Sequence, residues 1–152
     1  VNPFSAGLWA FNGRTAQREA EVYYNSRETG KRVDDEAYYK MLKELIGDRK
    51  VYCIIIDPSA ASFIEVIKKY GEYTVKKADN DVLDGIRVVT TMLNKEMIKI
   101  YEDCNDCINE FGMYRWDEEK SEDAVIKEND HAMDDTRYFC YTFLRRRLRW
   151  QY

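Results

Sequence analysis

The sequence predicts an α/β domain built on a mixed sheet with helices on both faces. An aromatic, β-branched hairpin signature opens it, and short apolar runs then alternate with helical stripes. The length agrees: 152 residues, 45% of them apolar and 14% aromatic, can bury one core and fit one domain.

Phe4 to Phe11 and Arg18 to Tyr24 read as strands, and Asn12-Gly13 supplies turn chemistry for an antiparallel pair. After Asp34, the residues Tyr38, Met41, Leu42 and Leu45 fall on one helical face that Gly47 terminates. Val51 to Ile56 is an unbroken apolar run, as suits a strand covered on both faces inside a sheet. Ala60, Phe63, Ile64 and Ile67 form a helical stripe ending near Gly71, and Tyr73 to Val75 is a short strand. A helix is expected from Asp81 to Leu93 with Val82, Ile86, Val89 and Leu93 inward, and a strand from Met97 to Tyr101. A short helix from Cys104 to Phe111 leads into a polar stretch, Gly112 to Glu128, that has no clear period. The last helix is expected from Asn129 to about Arg147, burying Ala132, Phe139, Cys140 and Phe143. A hairpin followed by βα units gives a mixed sheet.

Charged residues make up 34% and the net charge is −4, so no global cationic field draws the chain to nucleic acid and any such contact must be local. Apolar runs are too short to span a bilayer, and no basic-then-apolar leader opens the chain, which reads as soluble and not secreted. Of the four cysteines, only Cys104 and Cys107 have ligand-like spacing, and no second such pair completes a zinc site. Unligated cytosolic thiols are expected. The start, Val1-Asn2-Pro3 without an initiator Met, reads as that of a domain excised from a longer polypeptide.

Two places carry candidate chemistry. Asp57 ends the 51–56 run, and ligands gather at the carboxyl ends of strands in open α/β sheets. The same Asp57-Pro58-Ser59 also suits an N-cap followed by Pro at the first helical position. In Asp130-His131-Ala132-Met133-Asp134-Asp135, His131 and Asp134 project from one side of a helix, three residues apart. Carboxylate oxygens suit hard divalent metals, and a His can share such a site with Mn²⁺. Acidic residues in a first turn also favour the helix dipole without any ligand. The chain's single histidine set among three aspartates favours the functional reading.

Four segments in order are more specific: Asn2-Pro3-Phe4, Asp57-Pro58-Ser59-Ala60, Asn80-Asp81-Val82-Leu83-Asp84-Gly85-Ile86 and Lys127-Glu128-Asn129-Asp130-His131-Ala132-Met133-Asp134. Together they resemble the C-terminal half of tailed-phage (or prophage) terminase large subunits, from about Asn2 to Phe143. The resemblance implies a ribonuclease-H-like nuclease domain that cuts concatemeric double-stranded phage DNA during genome packaging, using two Mg²⁺ or Mn²⁺ ions. It assigns catalytic and metal-binding roles to Asp57, His131 and Asp134. Paired cations can activate a water and stabilise the leaving 3′ oxygen, so no protein nucleophile is needed. It further implies an ATPase domain upstream in the parent chain, which fits the absence of a G-x-x-x-x-G-K-[ST] loop here. Portal protein and small terminase subunit would be partners, no membrane would be involved, and the setting would be the cytoplasm of the bacterial host. The family's first catalytic aspartate ends a first strand that would lie upstream of Val1, so the fragment as it stands is expected to bind metal weakly or be inactive. Asp135 stands where the family tends to have a small residue, and it could supplement Asp134 or face solvent.

Asn80 before an apolar helical stripe reads as a cap, with Asp81 and Asp84 in the first turn. Lys68, Lys69, Lys76 and Lys77 are either solvated or near phosphates; Lys127 either meets a scissile phosphate once a loop closes or is an exposed loop lysine, and the Gly112 to Glu128 stretch suits a gate. Arg145-Arg146-Arg147-Leu148-Arg149-Trp150 either complements a helix C-terminus or meets DNA backbone or the packaging motor. Two further functions compete: another ribonuclease-H-like nuclease such as a resolvase or integrase, and a non-catalytic DNA- or portal-docking fragment.

Overall fold

The computed structural model describes residues 3–25, 29–30, 33–113 and 130–148. Asn2, Lys127, Asn129, Arg149, Trp150 and nearly all of the expected gate lie outside the described residues.

Strands β1 (Phe4–Phe11) and β2 (Ala16–Tyr24) form the expected antiparallel hairpin. At its turn, Asn12 Oδ1 accepts from the amides of Arg14 and Thr15 at 2.9 and 2.8 Å, and Gly13 takes φ 93°. That side-chain mimic of a backbone turn is what Asn contributes here. β2 starts two residues earlier than Arg18 because Ala16 pairs with Ile98 of β5 (Ile98–Ile100), which lies parallel to β2. The sheet order is β1-β2-β5.

A second parallel ladder joins β3 (Ile54–Ile56) to β4 (Val75–Lys77). Both depart from expectation. β3 is shorter than the 51–56 run, and β4 lies beyond Tyr73 because its register is set by Ile54↔Val75 and closed by Ala78 N to Ile56 O at 2.8 Å. Within β3 both faces are nonetheless packed, since Ile54 and Ile56 pack in one core cluster and Ile55 against another, while Tyr52 earlier in the run is exposed.

Helix α1 (Asp35–Ile46) is capped by Asp34 and stopped by Gly47 at φ 60°. With α2 (Ala61–Tyr70), which ends at a left-handed Gly71, it covers one sheet face through Tyr39, Leu42, Ile46, Phe63 and Ile67. Helix α3 (Val82–Asn94) and the C-terminal helix cover the other through Val88, Met92, Phe139, Cys140 and Leu144. On α3 the fully buried stripe is Gly85, Val88 and Met92, with the expected Val82, Ile86, Val89 and Leu93 only partly buried. The helix has turned so that Gly85 meets Arg137: a Cβ on Gly85 would lie 2.4 Å from Arg137 Cγ.

Helix α4 (Asn105–Met113) packs against α5 (His131–Tyr138). The single α-helix expected up to Arg147 is instead α5, a π-helical stretch Phe139–Leu144 and a last turn α6 (Arg145–Arg147). These wider turns stack Phe139 on Trp9 with centroids 4.3 Å apart and bring Thr142 Oγ1 within 2.8 Å of the Asp79 amide. Such π segments are uncommon and often mark functional positions. Among the described residues no helix is long and apolar enough to cross a membrane.

β1 and β3 each end their ladders, and α5 packs against both strands. Between them lies a cavity of about 910 Å³, lined by all of β1, by 51–57, by Leu42, Ile46 and Phe63 from one side and by Tyr138, Phe139 and Phe143 from the other.

Candidate metal centre

Asp57 follows β3 directly, at the carboxyl end of that strand. It does not cap α2, whose N-cap is Ala60 and carries no side-chain cap bond. Its Oδ1 accepts from the Ser59 amide at 2.9 Å and from Asn80 Nδ2 at 3.5 Å, and its Oδ2 from Tyr138 Oη at 2.8 Å. Burial pushes the Asp57 carboxyl up, yet the bonds from Ser59, Tyr138 and Asn80 outweigh it and hold the group below the usual carboxylate range. Burial, the Asp134 charge and the bond to Asp57 all push the Tyr138 phenol upward, so it remains a donor.

The head of α5 supplies the rest. One donor atom each from Asp130, His131 and Asp134 lies within 4.8 Å of the others. Asp130 is buried and the other two are partly so. His131 and Asp134 line the cavity between β1 and β3 together with Asp57, so all three residues singled out by sequence face one space. The tight donor set is not that trio. It contains Asp130, while Asp57 is held apart on Tyr138, Ser59 and Asn80. Two carboxylates and an imidazole are a donor set that fits a hard divalent cation tolerant of one nitrogen, Mg²⁺ or Mn²⁺.

Arg137 steadies this head. Its Nη2 donates to Asp134 Oδ1 at 2.9 Å, and its Nη1 donates to the carbonyls of Asn80 and Asp81 at 3.0 and 3.2 Å. The expected cap at Asn80 is displaced by one: Asp81 caps α3, accepting from the Asp84 amide at 2.9 Å, while Asn80 turns to Asp57.

Asp135 neither joins the donor set nor simply faces solvent. Arg18 grips its carboxylate, with Nη2 3.3 Å from Oδ2, and Ser5 Oγ donates to it at 2.6 Å. Burial disfavours the Arg18 charge, but Asp135 and Glu21 more than compensate and raise its pKa.

Sequence reasoning missed Tyr138, Arg137 and Glu110 and left Asp130 as a motif neighbour. Spacing could have flagged Asp130, four residues before Asp134. For Glu110, on a different helix, no local pattern carries the signal. Of the lysines, Lys69 pairs with Glu36 at 2.5 Å. In the basic cluster, Arg145 lies 3.9 Å over the Tyr141 ring and Arg147 4.8 Å over Tyr52. Cys104 and Cys107 are free buried thiols, with Cys107 Sγ 3.6 Å from Thr136 Oγ1.

A mixed sheet opened by a hairpin, continued in βα units and flanked by helices places the chain in the ribonuclease-H-like α/β class. The chain matches no protein-family profile, and a search of curated proteins finds no match. Solved structures do match. The large terminase of a thermophilic bacteriophage, crystallised with ATP-gamma-S, shares 42% identity over 94% of this chain and 37% of its own, with a TM-score of 0.89. A second crystal form of that protein gives 41% identity over 94% and 36%, with a TM-score of 0.90. The chain is a homologue of phage large terminase, and it spans a little over a third of the length of the relative it matches.

Proposed function

We propose that this chain is the nuclease part of a phage or prophage large terminase, a metal-dependent endonuclease domain that cuts concatemeric double-stranded DNA during packaging. The observation that carries the reading is the Asp130, His131 and Asp134 donor set opening on a cavity that Asp57 also lines. Asp57, His131 and Asp134 are its catalytic and metal-binding residues, with Asp130 added to them. A divalent cation held there would supply Lewis acidity, lowering the pKa of a water and offsetting charge on the phosphate. The chain's own groups do the positioning: Tyr138 fixes Asp57, and Arg137 fixes Asp134.

The reading includes a further strand, upstream of Val1, that ends in another aspartate. The cavity supports it: β1 and β3 flank the space as edge strands, with apolar residues on both sides, which suits a strand buried in mid-sheet. The packaging ATPase belongs to the same parent chain, and DNA, portal protein and small terminase subunit are the partners, in the host cytoplasm. The relative's greater length supports that assignment.

The test is Mn²⁺-dependent nicking of supercoiled plasmid by the chain with its upstream residues restored. Nicking that Asp134→Ala abolishes is the expected result. Intact plasmid, or equal cutting by the variant, removes the nuclease reading.

A further inference from the structure

Among the described residues three helices begin at an aspartate, and one of them is capped differently. Asp34 has extended backbone (φ −94°, ψ 178°) and accepts from the Ala37 amide. Asp81 (φ −57°, ψ 123°) accepts from the Asp84 amide in the same way. Both follow the ordinary rule, in which an N-cap in the β region turns its side-chain oxygen onto the N2 or N3 amide. Asp130 has φ −125° and ψ 9°, and its side chain makes no cap bond.

The amides at the start of α5 are instead taken by a residue on another helix. Glu110 Oε1 accepts from Ala132 N at 2.7 Å and Met133 N at 3.0 Å, and its Oε2 accepts from Tyr23 Oη at 2.8 Å. Glu110 is only 3% exposed, so both its oxygens are committed inside the protein. The Tyr23 ring also meets His131 edge-on, with centroids 6.4 Å apart. One carboxylate thus completes the orphan donors of a helix end while the carboxylate that would usually do so stands beside His131 and Asp134.

We propose that Glu110 is a positioning residue for a divalent cation at the head of α5: it caps the helix in place of Asp130 and so commits the Asp130 carboxylate to the donor set. The inference rests on the metal-centre reading above. If the Glu110 carboxylate is lost, the Ala132 and Met133 amides need another acceptor. Asp130 is the nearest by sequence, and its return to ordinary capping withdraws a ligand. Tyr23 keeps Glu110 in place from the strand side and His131 in place by ring contact.

The experiment titrates Mn²⁺ alone, by electron paramagnetic resonance of the free ion, into the chain with its upstream residues restored, as wild type and as Glu110→Ala and Glu110→Gln, with circular dichroism confirming that each is folded. Outer partners of metal ligands typically contribute 10- to 100-fold in affinity. Glu110→Ala is expected to weaken Mn²⁺ binding at least about tenfold. Glu110→Gln keeps an oxygen for the two amides and is expected to restore affinity to within a few-fold of wild type, a rescue that loss of packing would not show. Equal affinity in a folded Glu110→Ala overturns the inference and leaves the metal centre standing. No Mn²⁺ binding by the wild type overturns both. Should Glu110→Ala not fold, Glu110→Asp, one methylene short of the amides, replaces it: weakened binding supports the role and unchanged binding overturns it.

Discussion

The fully buried Arg18 guanidinium holds the Asp135 carboxylate and so ties β2 to the helix that bears His131 and Asp134. Glu21 lies on the other side of the same guanidinium at 3.2 Å, and Ser5 adds a bond to Asp135 from β1. The helix head is thus fastened to the sheet next to the residues proposed to bind metal.

Removing one partner of such a pair strands a charge in the interior. Asp135→Ala is expected to lower unfolding stability by about 3 kcal/mol or more, read from urea midpoints at constant slope. A double change, Arg18→Met with Asp135→Leu, is expected to cost less than Asp135→Ala alone, because the Glu21 carboxylate it leaves without a cation still accepts from the Asp106 and Cys107 amides. A double variant weaker than the single would contradict this account.

Tyr138→Phe deletes the donor to Asp57 Oδ2. Since that bond lowers the Asp57 pKa, the variant's carboxyl should titrate at higher pH than the wild type's, as carbon-13 NMR of the side chain would show. Asp57 is partly exposed, so the stability lost is expected at the low end for a charged acceptor, about 1 to 2 kcal/mol. The sign follows from a depressed folded pKa. The difference between the proteins should be present above the unfolded Asp value, about 3.9, and fade as pH falls through the folded one.

Gly85→Ala sets a methyl into the Arg137 stem. Arg137 cannot readily yield, because its guanidinium is bonded to Asn80, Asp81 and Asp134. An overpacking cost of about 1 to 3 kcal/mol is expected in thermal or urea unfolding. No loss would mean that Arg137 moves freely.

Thiol labelling distinguishes the cysteines. Burial pushes Cys107 up to about 11 and raises Cys104 and Cys140 as well, and all three are buried. Cys53 is partly exposed, with Lys76 and Arg147 opposing its desolvation. Ellman's reagent at pH 8 is therefore expected to modify Cys53 first, and the other three only on unfolding.

Local chemistry was legible in the sequence and long-range pairing was not. Asn12-Gly13, Asp34 and Gly47 announced a turn and two helix ends because each acts on its own neighbours. Strand β4 was misplaced because its position is decided by Ile54, about twenty residues away. At the site, His131 and Asp134 stood out by spacing, but Glu110 acts on amides 22 and 23 positions distant. The π-helical stretch was hidden for a related reason: its composition is that of any apolar helix, and its widening shows in the stacking of Phe139 on Trp9 and in the bond from the Asp79 amide to Thr142.

The parted sheet has a consequence for handling the protein. Strand margins of the kind that β1 and β3 bring to the cavity are templates on which foreign chains can polymerise, a hazard that native proteins usually blunt with charge or proline. Here Arg49, Lys50 and Arg147 share the lining with Trp9, Phe139 and Phe143, so charge blunts the margins only in part and concentrated solutions should be prone to intermolecular ladders and turbidity. A short apolar peptide that sealed the gap would act as an antidote.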